Sequence, residues 1–188
     1  MKKGQKLIKK GINSCRKGKN FERRVANLFS KAWNVEAYKT PGSGSFGTTH
    51  RSRALKETTA ADVVIEGIPV TIECKDYKTI GVFNWLRTEK KPKQSIEFWW
   101  EKVCKEAAEI KSVPLLVLKS DRTPIAILMS YQAYNHFVDY TGGTPNRLIK
   151  FKSQFEENLI CININDVLAL DKSQILVILN NILKELYG

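Results

Sequence analysis

Histidine and paired cysteine are what this chain has least of. Two histidines (His50, His136) and four scattered cysteines (Cys15, Cys74, Cys104, Cys161) give no Cys-x-x-Cys and no histidine cluster. This argues against the common zinc ligand sets and against a disulfide-stapled secreted scaffold. It fits reduced thiols in a cytoplasmic protein. No run approaches the ~18 apolar residues of a membrane span. The N-terminus has no apolar stretch of the kind a secretory signal needs. No glycine-rich phosphate loop joins a strand to a helix, so a dinucleotide-binding fold is not indicated. The first twenty residues contain no acid, against eight basic side chains (Lys2, Lys3, Lys6, Lys9, Lys10, Arg16, Lys17, Lys19).

That asymmetry belongs to a strongly basic whole, with net charge +12 and a pI near 9.6. A long-range positive field favours polyanions, nucleic acid first and anionic membrane second. At 188 residues, 43% hydrophobic and 27% charged, the chain reads as one soluble domain with a sizeable core. Residues 1–17 read as a flexible basic arm suited to phosphates, residues 18–140 as the core, and residues 141–188 as an extension packed on the core or on a second copy.

Apolar spacing predicts a first helix from about Asn20 to Trp33 and a short strand over Val35 to Lys39. A glycine-rich loop follows at 41–47. A basic connector spans 78–93, and a second helix spans about Ser95 to Lys111 with Trp99 and Trp100 facing inward. Two strands follow, Pro114 to Lys119 and Ile125 to Met129. Ser130 then caps a helix running through Tyr140. A strand over Leu159 to Ile164 and an amphipathic helix over Ser173 to Tyr187 complete the chain. The order implies an α/β fold with a mixed sheet flanked by helices and an added C-terminal strand and helix.

The most informative segment is Asp62 to Lys75, which reads as one β-hairpin. With Glu66-Gly67 as the turn, Ile65 faces Ile68 and Asp62 faces Thr71. Glu73 and Lys75 follow at period two, so all three charges share a side, and any even loop length keeps that result. Val63, Ile65, Val70 and Ile72 form the other side, with Cys74 turned into the core. Two carboxylates beside a cation suit a hard divalent ion, which keeps several waters and takes one or two carboxylates. The lysine can orient a water or offset charge building up on a phosphate.

Four segments in order resemble the PD-(D/E)xK nuclease superfamily, and within it the Holliday-junction resolvases of archaea and their viral relatives. They are Lys17-Gly18-Lys19-Asn20-Phe21-Glu22-Arg23, Pro41-Gly42-Ser43-Gly44, Asp62, and Glu73-Cys74-Lys75. Ala61 stands where the superfamily has its proline. Lys39 and Thr40 stand where an arginine is usual, giving a point charge in place of a bidentate fork.

The resemblance implies a restriction-endonuclease-like core and a Mg²⁺-dependent DNA endonuclease, Mn²⁺ being a substitute, that cuts branched DNA as a homodimer. It implies a metal held by Asp62, Glu73, the Cys74 carbonyl and Glu22, with Lys75 on the nucleophilic water and Ser43 also in the catalytic set. Arg23, Lys39, Ser43, Gly44, Ser45, Arg51, Arg53 and Lys78 would contact DNA. Read from the residues alone, Glu22 lies beside the apolar stripe of its helix and can lean toward Asp62 and Glu73. Two alternatives stand beside the resolvase reading. One is another nuclease of the superfamily, of restriction type or processing single strands and flaps. The other is a non-catalytic DNA-binding protein.

Overall fold

The computed structural model describes residues 2–40, 61–78, 80, 95–145, 148–152 and 158–188. The loop at 41–47, with Ser43, Gly44 and Ser45, lies outside the described residues, as do Arg51, Arg53 and nearly all of the connector at 78–93.

One seven-stranded mixed sheet organises the chain. Its strands are β1 (Ala37–Lys39), β2 (Val63–Ile65), β3 (Val70–Tyr77), β4 (Val113–Ser120), β5 (Ala126–Ser130), β6 (Leu148–Lys152) and β7 (Asn158–Asn163). They lie in the order β1-β2-β3-β4-β5-β7-β6. Among the described strands only β3 and β4 pair in parallel. Parallel neighbours need a crossover, which α2 (Ile96–Ile110) supplies. The other helices among the described residues are α1 (Lys2–Trp33), α3 (Tyr131–Thr141), α4 (Ile164–Leu168) and α5 (Lys172–Tyr187). This is the mixed, helix-flanked sheet that the element order implied.

The helices divide unequally between the faces. Phe21, Val25 and Phe29 of α1, Phe137 of α3, Val167 of α4 and Ile178 of α5 share one core with Ile72, Val117 and Ile127 of the sheet. The opposite face is covered by α2, whose Ile96, Trp99, Trp100 and Val103 meet Leu116, Leu118, Leu128 and Leu159. Alternation along each strand sorts its side chains between the two cores. Helix ends follow local chemistry. The Ser95 hydroxyl accepts from the Phe98 N–H at 3.2 Å. Ser130 accepts from Ala133 at 3.1 Å, and Asp171 with Gln174 closes a capping box.

The structure departs from expectation in four places. Helix α1 begins at Lys2, so the residues expected to form a flexible arm continue it. Lysine, glutamine and leucine are good helix formers and no proline interrupts them. The hairpin pairs Val63 with Ile72 rather than with Val70, a shift of two residues. Glu66-Gly67 is still the turn, with the Ile68 N–H donating to the Ile65 carbonyl at 3.2 Å and Gly67 at φ 71°, but Ile68 and Pro69 stay out of the ladder and lengthen the loop. The strand β6 was not anticipated, nor the short helix α4. Trp99 and Trp100, by contrast, are 4% and 3% exposed and face inward as the spacing implied.

Candidate active site

The two-residue shift preserves side-chain parity and brings the charged residues closer together. Continuing the Val63–Ile72 register places Asp62 across from Glu73 rather than across from Thr71. The backbone turns at Asp62. Its N–H donates to the Ile72 carbonyl at 2.8 Å, and its carbonyl accepts from the Thr40 N–H at 3.0 Å. Asp62 therefore ties β3 to the end of β1. Its carboxylate takes over where the ladder would have continued, with Oδ2 accepting from the Cys74 N–H at 2.8 Å. Within a strand the N–H and C=O of one residue point to the same neighbour, so the Cys74 carbonyl also faces the Asp62 side. The Cys74 thiol lies in the α1 core, where burial raises its pKa well above the ordinary value.

Glu73 is 2% exposed and holds two ammonium groups. Lys75 donates to Oε1, and Lys102 of α2 donates to Oε2 at 2.7 Å. Lys102 also lies 3.5 Å from Glu106, one turn along α2. Glu22 of α1 lies 3.3 Å from the Lys39 ammonium, which donates to the Thr40 carbonyl at 2.7 Å. Lys39 is thus engaged inside the site, and both it and Glu22 are mostly buried. Lys17 bridges Asp76 at the end of β3 and Asp121 in the β4–β5 turn, each at 3.0 Å. Arg23 and Lys78 are exposed, and Arg23 reaches Asn20 at 3.4 Å.

Crowded, buried charge shifts these groups. Burial, then the neighbouring Glu73 carboxylate, pushes Asp62 up to about 6; Lys75 and the Cys74 N–H pull the other way. Burial also lifts Glu106 to about 7. Burial alone would lower Lys102, but the charge of Glu73 and the hydrogen bond to it outweigh that and hold it above its ordinary value.

A buried carboxylate pair that repels itself is the donor set a divalent cation relieves. Both groups are hard oxygen donors, and two protein carboxylates are enough for an ion that keeps most of its waters. In this respect Asp62 and Glu73 fit a Mg²⁺-like ion. Among the described residues, no group of three or more histidine, cysteine, aspartate or glutamate side chains is arranged to hold a metal. Glu22 acts on Asp62 electrostatically and pairs with Lys39.

The structure thus brings Asp62, Glu73, Cys74 and Lys75 together, with Glu22 and Lys39 beside them. Sequence reasoning missed Lys102 and Glu106. The signal was present: both fall on the α2 stripe of Trp99, Val103 and Ala107 at helical spacing, where a charge needs a reason.

Over 116 residues the chain is 28% identical to "Protein D14" of Escherichia phage T5, covering 59% of this chain and 67% of that one. No solved structure gives a significant match. A family model described as "Phage putative PDDEXK endonuclease" matches residues 13–177, most of the chain and all the residues gathered around Asp62 and Glu73. On that match, the chain belongs to the phage PDDEXK endonuclease family.

Proposed function

We propose that this protein is a divalent-metal-dependent DNA endonuclease selective for branched DNA, four-way junctions in particular. The observation that carries this reading is the buried pair Asp62 and Glu73 on adjacent strands, with the Lys75 ammonium on Glu73. Asp62, Glu73 and the Cys74 carbonyl would hold Mg²⁺, or Mn²⁺ in its place. A bound ion would supply an activated water and offset charge on the phosphate under attack. The protein's own groups do the rest. The Cys74 N–H fixes the Asp62 carboxylate, and Glu73 holds Lys75 by one of its three ammonium donors. The other two donors are left to orient a water in line with the scissile bond.

Net charge +12 supports a polyanionic substrate, and Lys17 of α1 reaches Asp76 at the end of β3. Branch selectivity rests on the resemblance of residues 17–23 and 41–44 to junction resolvases. A four-way junction offers two equivalent phosphates about a twofold axis, which a C2 homodimer matches.

The test compares a four-way junction, a flap, a fork and linear duplex of matched sequence, with Mg²⁺ and with chelator, alongside light scattering. Paired nicks in the junction by a dimer, dependent on Mg²⁺, are expected. Equal cutting of linear duplex by a monomer would remove junction selectivity and leave the nuclease. No divalent-dependent nicking of any substrate would remove the nuclease itself.

A further inference from the structure

A divalent cation at Glu73 would meet two ammonium charges already held on its oxygens. Oε1 is held by Lys75 and Oε2 by Lys102 at 2.7 Å, in a residue 2% exposed. Repulsion between the like charges favours moving one ammonium away. The two lysines differ in what lies beside them. Lys102 already has a second carboxylate within ion-pair reach, Glu106 Oε1 at 3.5 Å. The other oxygen of that carboxylate, Oε2, is buried with no hydrogen-bond partner among the described residues. A buried carboxylate oxygen without a donor is costly, and it gives a displaced ammonium somewhere to go. The two sites are one helical turn apart on α2, so a rotamer change of a long, flexible side chain can join them. No backbone movement is required.

We propose that Lys102 is a resident counter-ion of the metal-free site, which leaves Glu73 for Glu106 when a divalent cation is bound. The inference rests on the metal-dependent reading above. Lys102 is then a positioning residue. In the metal-free protein its ammonium holds and aims the buried Glu73 carboxylate. In the metal-loaded protein its ammonium, held by Glu106, remains at the edge of the site as a cation facing the substrate phosphate. Glu106 sets how readily the exchange occurs.

The proposal predicts effects of opposite sign from two neighbouring residues, which a purely structural role would not give. Mn²⁺ titration by calorimetry, in the absence of DNA, should show tighter binding in Lys102→Met, by about tenfold, because a competing cation is gone. Glu106→Gln should bind Mn²⁺ about threefold or more weakly, because Lys102 loses its alternative partner and stays on Glu73. Thermal melting without metal checks that each variant is folded. If Lys102→Met unfolds, the Glu106→Gln titration decides alone. Weaker binding in Lys102→Met, or Glu106→Gln indistinguishable from wild type, overturns the exchange. If wild type binds Mn²⁺ and Asp62→Asn does not, while both α2 variants match wild type, the exchange falls and the metal site stands. No Mn²⁺ binding by wild type takes down both.

Discussion

The two faces of the sheet are built on opposite terms. The face under α1, α3, α4 and α5 is apolar throughout its core, from Phe29 and Val25 to Ile178. The face under α2 has a smaller apolar cluster and gives its β3 end to Glu73, Lys75, Lys102 and Glu106. Burying hydrocarbon stabilises a fold, whereas burying charge costs unless each group is paired. One face therefore holds the molecule together, and the other holds strain that a substrate or an ion can use. β3 belongs to both, with Ile72 and Cys74 turned to the first and Glu73 and Lys75 to the second.

The largest expected effect lies on the charged face. Asp62→Asn or Glu73→Gln should reduce cleavage by ~10²-fold or more, since either removes a hard donor from the site. Metal-free DNA binding should be kept or tightened, because a charge that repels phosphate is gone. A gel nicking assay with binding measured in chelator tests both; cleavage within tenfold of wild type would take that residue out of the site.

The apolar face should give the reverse pattern. Phe29→Ala removes a ring that is fully buried and lies 4.7 Å from Trp33, centre to centre. The cost is expected to be about 3–5 kcal/mol in urea unfolding. Activity per folded molecule should not change. If it falls with stability intact, the division between the faces fails.

A smaller effect sharpens the contrast, because Asp62→Asn should stabilise the metal-free protein. Its carboxyl titrates at about 6 when folded, against an ordinary 3.8. Between those values the folded chain binds the extra proton, so stability falls as pH rises through that window. Above it the cost of the buried charge is fully present. Asparagine carries no such charge and keeps an acceptor for the Cys74 N–H. The gain should be near zero at about pH 4 and reach about 1–3 kcal/mol by about pH 8. A gain of equal size at both pH values would assign it to something other than the charge.

The smallest effect belongs to charge that is not buried. Lys105 pairs with Glu101 at 3.1 Å on the exposed side of α2, one turn apart. Lys105→Ala should change stability by less than about 0.5 kcal/mol and leave Mn²⁺ affinity untouched. A larger loss in the unfolding midpoint would mean that ion pairing on α2 matters regardless of burial.

The sequence determined most of what is periodic and local. Helical spacing placed α2 and α5 to within a residue or so, and Ser130 was legible as a cap because its chemistry acts over three residues. Strand parity put Glu73 and Lys75 on one face, and it survived the change of loop length because the loop stayed even. The tertiary structure decided what depends on distant partners. It set the register that faces Asp62 to Glu73, because Ile68 and Pro69, the latter with no N–H to pair, stay in the loop after the Glu66-Gly67 turn. β6 was not legible because its described side chains, Leu148, Ile149 and Lys150, are all exposed, so burial imposes no alternation on them. Lys102 reaches Glu73 across 29 positions, and no periodicity encodes that distance. It follows only from α2 crossing over β3, because β3 and β4 run parallel.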